Sequence, residues 1–211
     1  MGIRRRGALA WGLLLGAVFF LTGTAEARDY FLTVGGGYSP TGNQVSLEKN
    51  VQFFERLLDE QGLAAASHDV YFSDGHSPQR DLQFYDPDFQ VPKINRLLAQ
   101  IFGKEDGLSN QYRSHSLQNV RGASNRVNLD RWFQEVGSTL QPGDRVLIYL
   151  TGHGGKGKPV KNPHFYLWNG ERMPVNDFVK ELDKLPEGVS VVTVMVQCYS
   201  GGFANIVFDE G

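Results

Sequence analysis

Apolar residues along this chain fall into two patterns. Short unbroken runs alternate with longer stretches in which apolar positions recur every three or four residues. Residues 30–34 (YFLTV) form the first such short run after residue 27 and end in the glycines 35–37. They predict a buried strand running into a loop. Leu47, Val51, Phe54 and Leu58 then fall at helical spacing, with charges opposite and Gly62 as a stop, which predicts a helix over 44–60. Residues 68–74 (HDVYFSD) predict a second strand. A β-α-β unit with short connections implies neighbouring parallel strands joined by a right-handed crossover.

Residues 75–127 are less regular and read as an insertion or a long surface excursion. Within them, Ile94, Leu97, Leu98 and Ile101 predict one helix over 91–102. Regularity returns at Asn128, an expected N-cap, followed by a helical stripe of Leu129, Trp132, Phe133, Val136 and Leu140. Residues 145–151 (RVLIYLT) read as a strand covered on both faces. Residues 165–168 (FYLW) suggest a small hairpin strand. Val175, Phe178, Val179, Leu182 and Leu185 mark a further helix. Residues 189–197 (VSVVTVMVQ) read as another fully buried strand. The alternation of strands and helices predicts an α/β sandwich with a mostly parallel sheet.

The first 27 residues are set apart from this alternation. Arg4, Arg5 and Arg6 precede an apolar stretch from Ala8 to Leu21, and Ala25-Glu26-Ala27 matches a small-residue cleavage signal. They are expected to be a signal peptide for export to the periplasm or the extracellular space. The apolar run is too short to span a bilayer comfortably, so no stable membrane span is expected after cleavage. Residues 28–211 would form one domain. The chain has 211 residues, 41% of them hydrophobic, which suffices for one core. A net charge of −2 with no basic face argues against a nucleic-acid partner. A single cysteine, Cys198, precludes an internal disulfide.

Ligands of parallel sheets bind outside the carboxyl ends of the strands. Two segments lie at such ends, GHGGKG after the strand at 145–151 and CYSGG after the strand at 189–197. His153 and Cys198 can therefore meet as a base and a nucleophile. Gly154 and the Cys198 N–H are the expected oxyanion donors, because a residue without a side chain lets its N–H approach substrate.

Other readings of these loops fail on single residues. GHGGKGKP (152–159) approximates a phosphate loop but ends in Pro159 where a magnesium-binding hydroxyl is required. Ser200 lacks the preceding glycine of an esterase elbow. His68, Asp69, Asp74 and His76 match no metal-ligand spacing and read as solvated loop residues.

The paired motifs, an apolar strand ending in His-Gly (His153) and, 45 residues on, an apolar strand ending in CYSGG, resemble the legumain-type and caspase-like cysteine peptidases. The resemblance is closest over 128–203 and weaker over 30–74. It implies a caspase-like three-layer fold and a cysteine endopeptidase acting on peptide or protein substrates. Cys198 would be the nucleophile and His153 the acid/base, and no metal or organic cofactor would be required. The alternatives are an inactive peptide- or protein-binding relative and a transamidase. Gln197 stands where both families carry a small residue, and Tyr199 where legumains often carry an acid; both are expected to line the substrate pocket. Residues 35–44 contain no arginine to bind an acidic or amide P1 side chain. The chain ends 13 residues after Cys198, where such a sheet normally continues, so a fragment is expected.

Overall fold

The structure is a computed structural model that describes residues 27–158 and 162–207. The expected signal peptide lies, but for Ala27, outside the described residues. In chain order the elements are β1 (Asp29–Gly35), α1 (Val45–Glu60), β2 (Ser67–Phe72), β3 (Leu82–Tyr85), α2 (Lys93–Phe102), β4 (Asn110–Arg113), β5 (Val120–Gly122), α3 (Arg126–Glu135), β6 (Arg145–Thr151), β7 (Gly154–Gly155), β8 (His164–Tyr166), β9 (Arg172–Pro174), α4 (Val175–Leu182) and β10 (Ser190–Val196). Five strands form the central sheet in the order β10-β6-β1-β2-β5, with every pairing parallel.

Strand alternation sorts the side chains into two cores. Leu32 and Val34 of β1 and Val146, Ile148 and Leu150 of β6 point to one face. There they pack on Leu129, Trp132 and Phe133 of α3 and Phe178 of α4. The intervening residues, Phe31 and Tyr149, meet Phe54 and Leu58 of α1 on the other face. The Phe54 ring stacks on Tyr149 at 4.6 Å between centroids. Each such buried side chain contributes about 1.5–3 kcal/mol relative to exposure. The result is a three-layer α/β sandwich, as the alternation of the sequence implies.

Four expectations change. First, the strand read as fully buried is β10, the outer strand of the described sheet, and Val192, Val194 and Val196 are exposed. These side chains share a face with Leu147 and Tyr149, but α1 packs mainly over β1 and β6. Second, residues 75–127 hold more order than their composition suggests. They contain the β3–β4 hairpin, α2, and β5, which pairs with β2 as the opposite edge of the main sheet. Third, α3 starts earlier than expected: Asn125 is its N-cap, and its side chain accepts from the N–H of Asn128. Fourth, β2 stops at Phe72, because Ser73 and Gly75 adopt positive φ of 42° and 75° and turn the chain.

The helix read at 91–102 forms as α2, yet its apolar stripe has no partner. Ile94, Leu97, Leu98, Ile101 and Phe102 are 45–72% exposed, and only Ala99 is buried.

Candidate active site

The strands β6 and β10 set the register of the site. Val196 pairs with Thr151 as the last rung between them. Cys198 lies two residues past Val196, and His153 two residues past Thr151. Side chains therefore leave the carboxyl edge of two adjacent parallel strands at the same distance beyond the same rung. The chain then diverges: His153 leads into β7, and Cys198 into a 3-10 turn at Ser200–Ile206. Cys198 is exposed.

Backbone contacts lock the two loops together. Gly154 lies so close to the Cys198 carbonyl that a β-carbon at 154 would collide with it, and would also sit 3.0 Å from the Gln197 side chain. The Tyr166 N–H donates to the His153 carbonyl at 2.8 Å, which ties the His-Gly turn to β8. Tyr199 has φ +63° and ψ +17°, left-handed backbone that a bulky residue seldom adopts. Such strain, of order 1–3 kcal/mol, is common at functional turns. It throws the chain sharply away after Cys198 and leaves the thiol-bearing residue at the apex.

The imidazole of His153 is held from the side of the β1–α1 loop. Its Nε2 lies 2.8 Å from the Gly42 carbonyl oxygen and 3.0 Å from Gln44 Oε1. A carbonyl can only accept, so Nε2 carries the ring proton and Nδ1 is the basic nitrogen. The Tyr38 ring packs edge-on against the imidazole, with centroids 5.4 Å apart, and also touches Tyr166 at 5.3 Å.

The four side chains and backbone groups expected at the site thus lie on neighbouring loops. Gln197 turns inward: its amide atoms are buried without a partner, in a small cavity shared with Gly36, Ser124, His153 and Tyr166. Tyr199 turns outward, at the rim of an open, largely apolar groove with Lys156, Gly157, Pro163 and Gly202. His164, without assigned role in the sequence, packs beneath Gly155; burial first, and the Arg172 charge second, push its pKa down.

Three contributors to the site were missed by reading the sequence. Gly42, Gln44 and Tyr38 all belong to the loop after β1, which the sequence marks as a strand-end loop on the ligand-binding edge. That position was the available signal. In place of a basic residue, that loop supplies two acceptors, the Gly42 carbonyl and Gln44 Oε1, and the Tyr38 ring.

Of the residues weighed as metal ligands, His68 and Asp69 have partners within the protein, whereas neither carboxylate oxygen of Asp74 has one. His68 Nε2 contacts Thr33 Oγ1 at 2.8 Å. Asp69 accepts from the Trp132 indole and pairs with Arg121, both at 2.8 Å. A second cleft, lined by Glu55, Asp59, His68 and Gln118, lies on the side of α1 away from Cys198.

Residues 117–210 match the Peptidase C13 family, the legumain family of cysteine peptidases. The matched span runs from β5 through both loops of the candidate site and covers somewhat less than half of the chain. No curated protein matches the sequence. The parallel sheet with helices on both faces is consistent with a caspase-like fold. The resemblance to legumain-type, caspase-like cysteine peptidases therefore stands. At the level of that family, the chemistry is peptide hydrolysis by a cysteine, and the substrate is a peptide or protein. Among the described residues, no helix is long and apolar enough to cross a membrane.

Proposed function

We propose that this protein is an exported cysteine endopeptidase that cleaves peptide bonds through Cys198 and His153. The observation that carries the reading is the equal displacement of these two residues beyond the Thr151–Val196 rung. Adjacent strands deliver thiol and imidazole to one edge, and contact between Gly154 and the Cys198 carbonyl keeps their loops together.

In this mechanism His153 Nδ1 takes the thiol proton. The Cys198 thiolate attacks the carbonyl carbon, and the carbonyl electron pair moves to oxygen. The N–H groups of Gly154 and Cys198 would stabilise that oxyanion, a role typically worth about 10²–10³ in rate per donor. The imidazolium returns its proton to the leaving amine as the C–N bond breaks, leaving a thioester. Water, deprotonated by His153, attacks the thioester and releases the thiolate. The groove between Tyr199 and Pro163 is the surface offered to a substrate side chain beside the nucleophile. It is mostly apolar, and among the described residues that line it the one cation is Lys156.

The test combines a fluorogenic peptide library with alkylation of Cys198 by iodoacetamide across pH. Wild type is expected to cleave a subset of peptides and to trap a thioester or a covalent inhibitor at Cys198. Cys198→Ala should lose all activity, and His153→Ala at least a hundredfold. Wild-type protein that cleaves nothing, and whose thiol alkylates with the same pH dependence as in His153→Ala, would sink the reading in favour of a peptide-binding relative. Export is tested separately, by the amino-terminal sequence of the secreted protein; a start near Arg28 is expected.

A further inference from the structure

We infer that Gln44 is a positioning residue for His153, and that the β3–β4 hairpin within residues 75–127 is the brace that fixes it. This rests on the catalytic role proposed for His153. The hairpin lies in the stretch 75–127, which the sequence resemblance does not cover, and both it and the β1–α1 loop lie outside the span of the family match.

The argument starts from the ring. His153 Nε2 has one proton and two acceptors within reach, the Gly42 carbonyl and Gln44 Oε1. The carbonyl fixes one direction. The Gln44 oxygen fixes a second, so rotation of the ring about its own axis costs a hydrogen bond in either sense. Tyr38 closes the face of the ring. Nδ1, on the far side of the ring from both acceptors, is thereby held in one orientation.

Gln44 is itself short of support from its own loop. It precedes α1 as the N-cap residue but makes no side-chain cap bond, so its side chain is free for His153. Its backbone is held from outside. Gln44 forms an isolated parallel bridge with Gln83 of β3, and the Gln83 N–H donates to the Asn43 carbonyl at 2.7 Å. Next door, Asn43 is fully buried and spans the two segments. Its amide donates to Asp81 Oδ2 at 3.1 Å, and its oxygen accepts from the Gly37 N–H at 3.0 Å. Gly37 in turn is packed so tightly under Gly42 that any side chain would strike the Gly42 carbonyl, the same group that receives the His153 proton. The hairpin is anchored on its far side: Gln83 bonds the Tyr112 hydroxyl at 2.9 Å, and Arg113 of β4 pairs with the buried Glu48 of α1. A continuous set of contacts thus runs from β4 through β3 and residues 43–44 to the imidazole.

The experiment follows the His153 Nε2–H proton by NMR in the full chain, with His153→Asn to assign it, alongside steady-state kinetics. In wild type the proton should be observable and slow to exchange with water. Gln44→Ala should speed that exchange at least tenfold and lower kcat about ten- to a hundredfold, as expected for misplacement of a catalytic group, with KM changed less than threefold. Gln44→Glu keeps an acceptor and should restore slow exchange, which mere loss of packing would not. Asn43→Ala should show both defects in milder form. If Gln44→Ala leaves exchange and kcat unchanged, the positioning role is wrong. If exchange responds as stated but no variant, wild type included, cleaves peptides, the positioning role survives and the peptidase reading falls.

Discussion

Gly154 rests against the carbonyl of Cys198 with no room for a side chain between them. This single contact couples the His153 loop to the Cys198 loop. Gly154→Ala must push those loops apart. The expected outcome is a loss of at least a hundredfold in kcat/KM and about 1–3 kcal/mol in stability, the usual cost of overpacking. Gly201→Ala is the control, since nothing lies within 4 Å of a β-carbon there; it should leave stability within about 0.5 kcal/mol. Urea titrations and peptide hydrolysis of both variants decide the matter.

A pH dependence of stability follows from Asp81. Burial first, and the neighbouring Asp74 charge second, push its carboxyl up to about 6. One Asp81 oxygen and both Asp74 oxygens have no hydrogen-bond partner. In the unfolded chain an aspartate titrates near ~3.9. Between these values the native state holds more protons than the unfolded state, so stability falls as pH rises through the window and the full penalty stands above about pH 6. Asp81→Asn retains an acceptor for Asn43 and removes the charge. It should exceed wild type by about 1–2.5 kcal/mol at pH 7, two pKa units being at most ~2.7 kcal/mol, and lose that advantage near pH 4. A wild type with flat stability from pH 4 to 7 would contradict this.

The ion pair that anchors the hairpin should be costly to halve. Burial alone would raise the Glu48 carboxyl, but bonds from Arg113 and from Ser116 outweigh it and hold it below its usual range. The Ser116 N–H donates at 2.6 Å and an Arg113 nitrogen at 3.0 Å. Arg113→Ala strands the buried carboxylate and should cost about 3 kcal/mol. The double variant Glu48→Gln with Arg113→Met should cost clearly less, because no charge is left without a partner. Chemical denaturation of the two proteins gives the comparison.

For α2 the expectation runs the other way. Leu97→Glu combined with Ile101→Glu would ruin a packed helix. Here both side chains are exposed, so the change in stability should stay within about 0.5 kcal/mol per site. A loss of several kcal/mol would show that this stripe is covered in solution.

The fold was legible where pattern and burial agree. The runs at β1 and β6 are covered on both faces and read as such. The stripe of α1 reads as a helix because Val51 and Phe54 must face Phe72 and Tyr149. β10 misled because an apolar run reports composition, not cover: the same valines could lie between helices or on an open edge. β5 was invisible because three residues, Val-Arg-Gly, carry no period, and their strand is dictated by the β2 edge. At the site, His153 and Cys198 could be paired from topology, since parallel strands put their carboxyl ends together. Gln44 could not. Its role depends on how a loop of 3-10 turn and glycines folds back over β6, and neither spacing nor residue type encodes that path.

The position of β1 at the middle of the sheet bears on how the chain acquires its structure. Asp29 pairs with Arg145, 116 residues further along. Until β6 has been synthesised, β1 and β2 can form a parallel pair with one long edge exposed, and neither core can close. Contacts of such sequence separation make folding slow. Most of the polypeptide must therefore exist before any of it is stably folded, and the unpaired edges of β1 and β2 are the surfaces that stay open longest during synthesis.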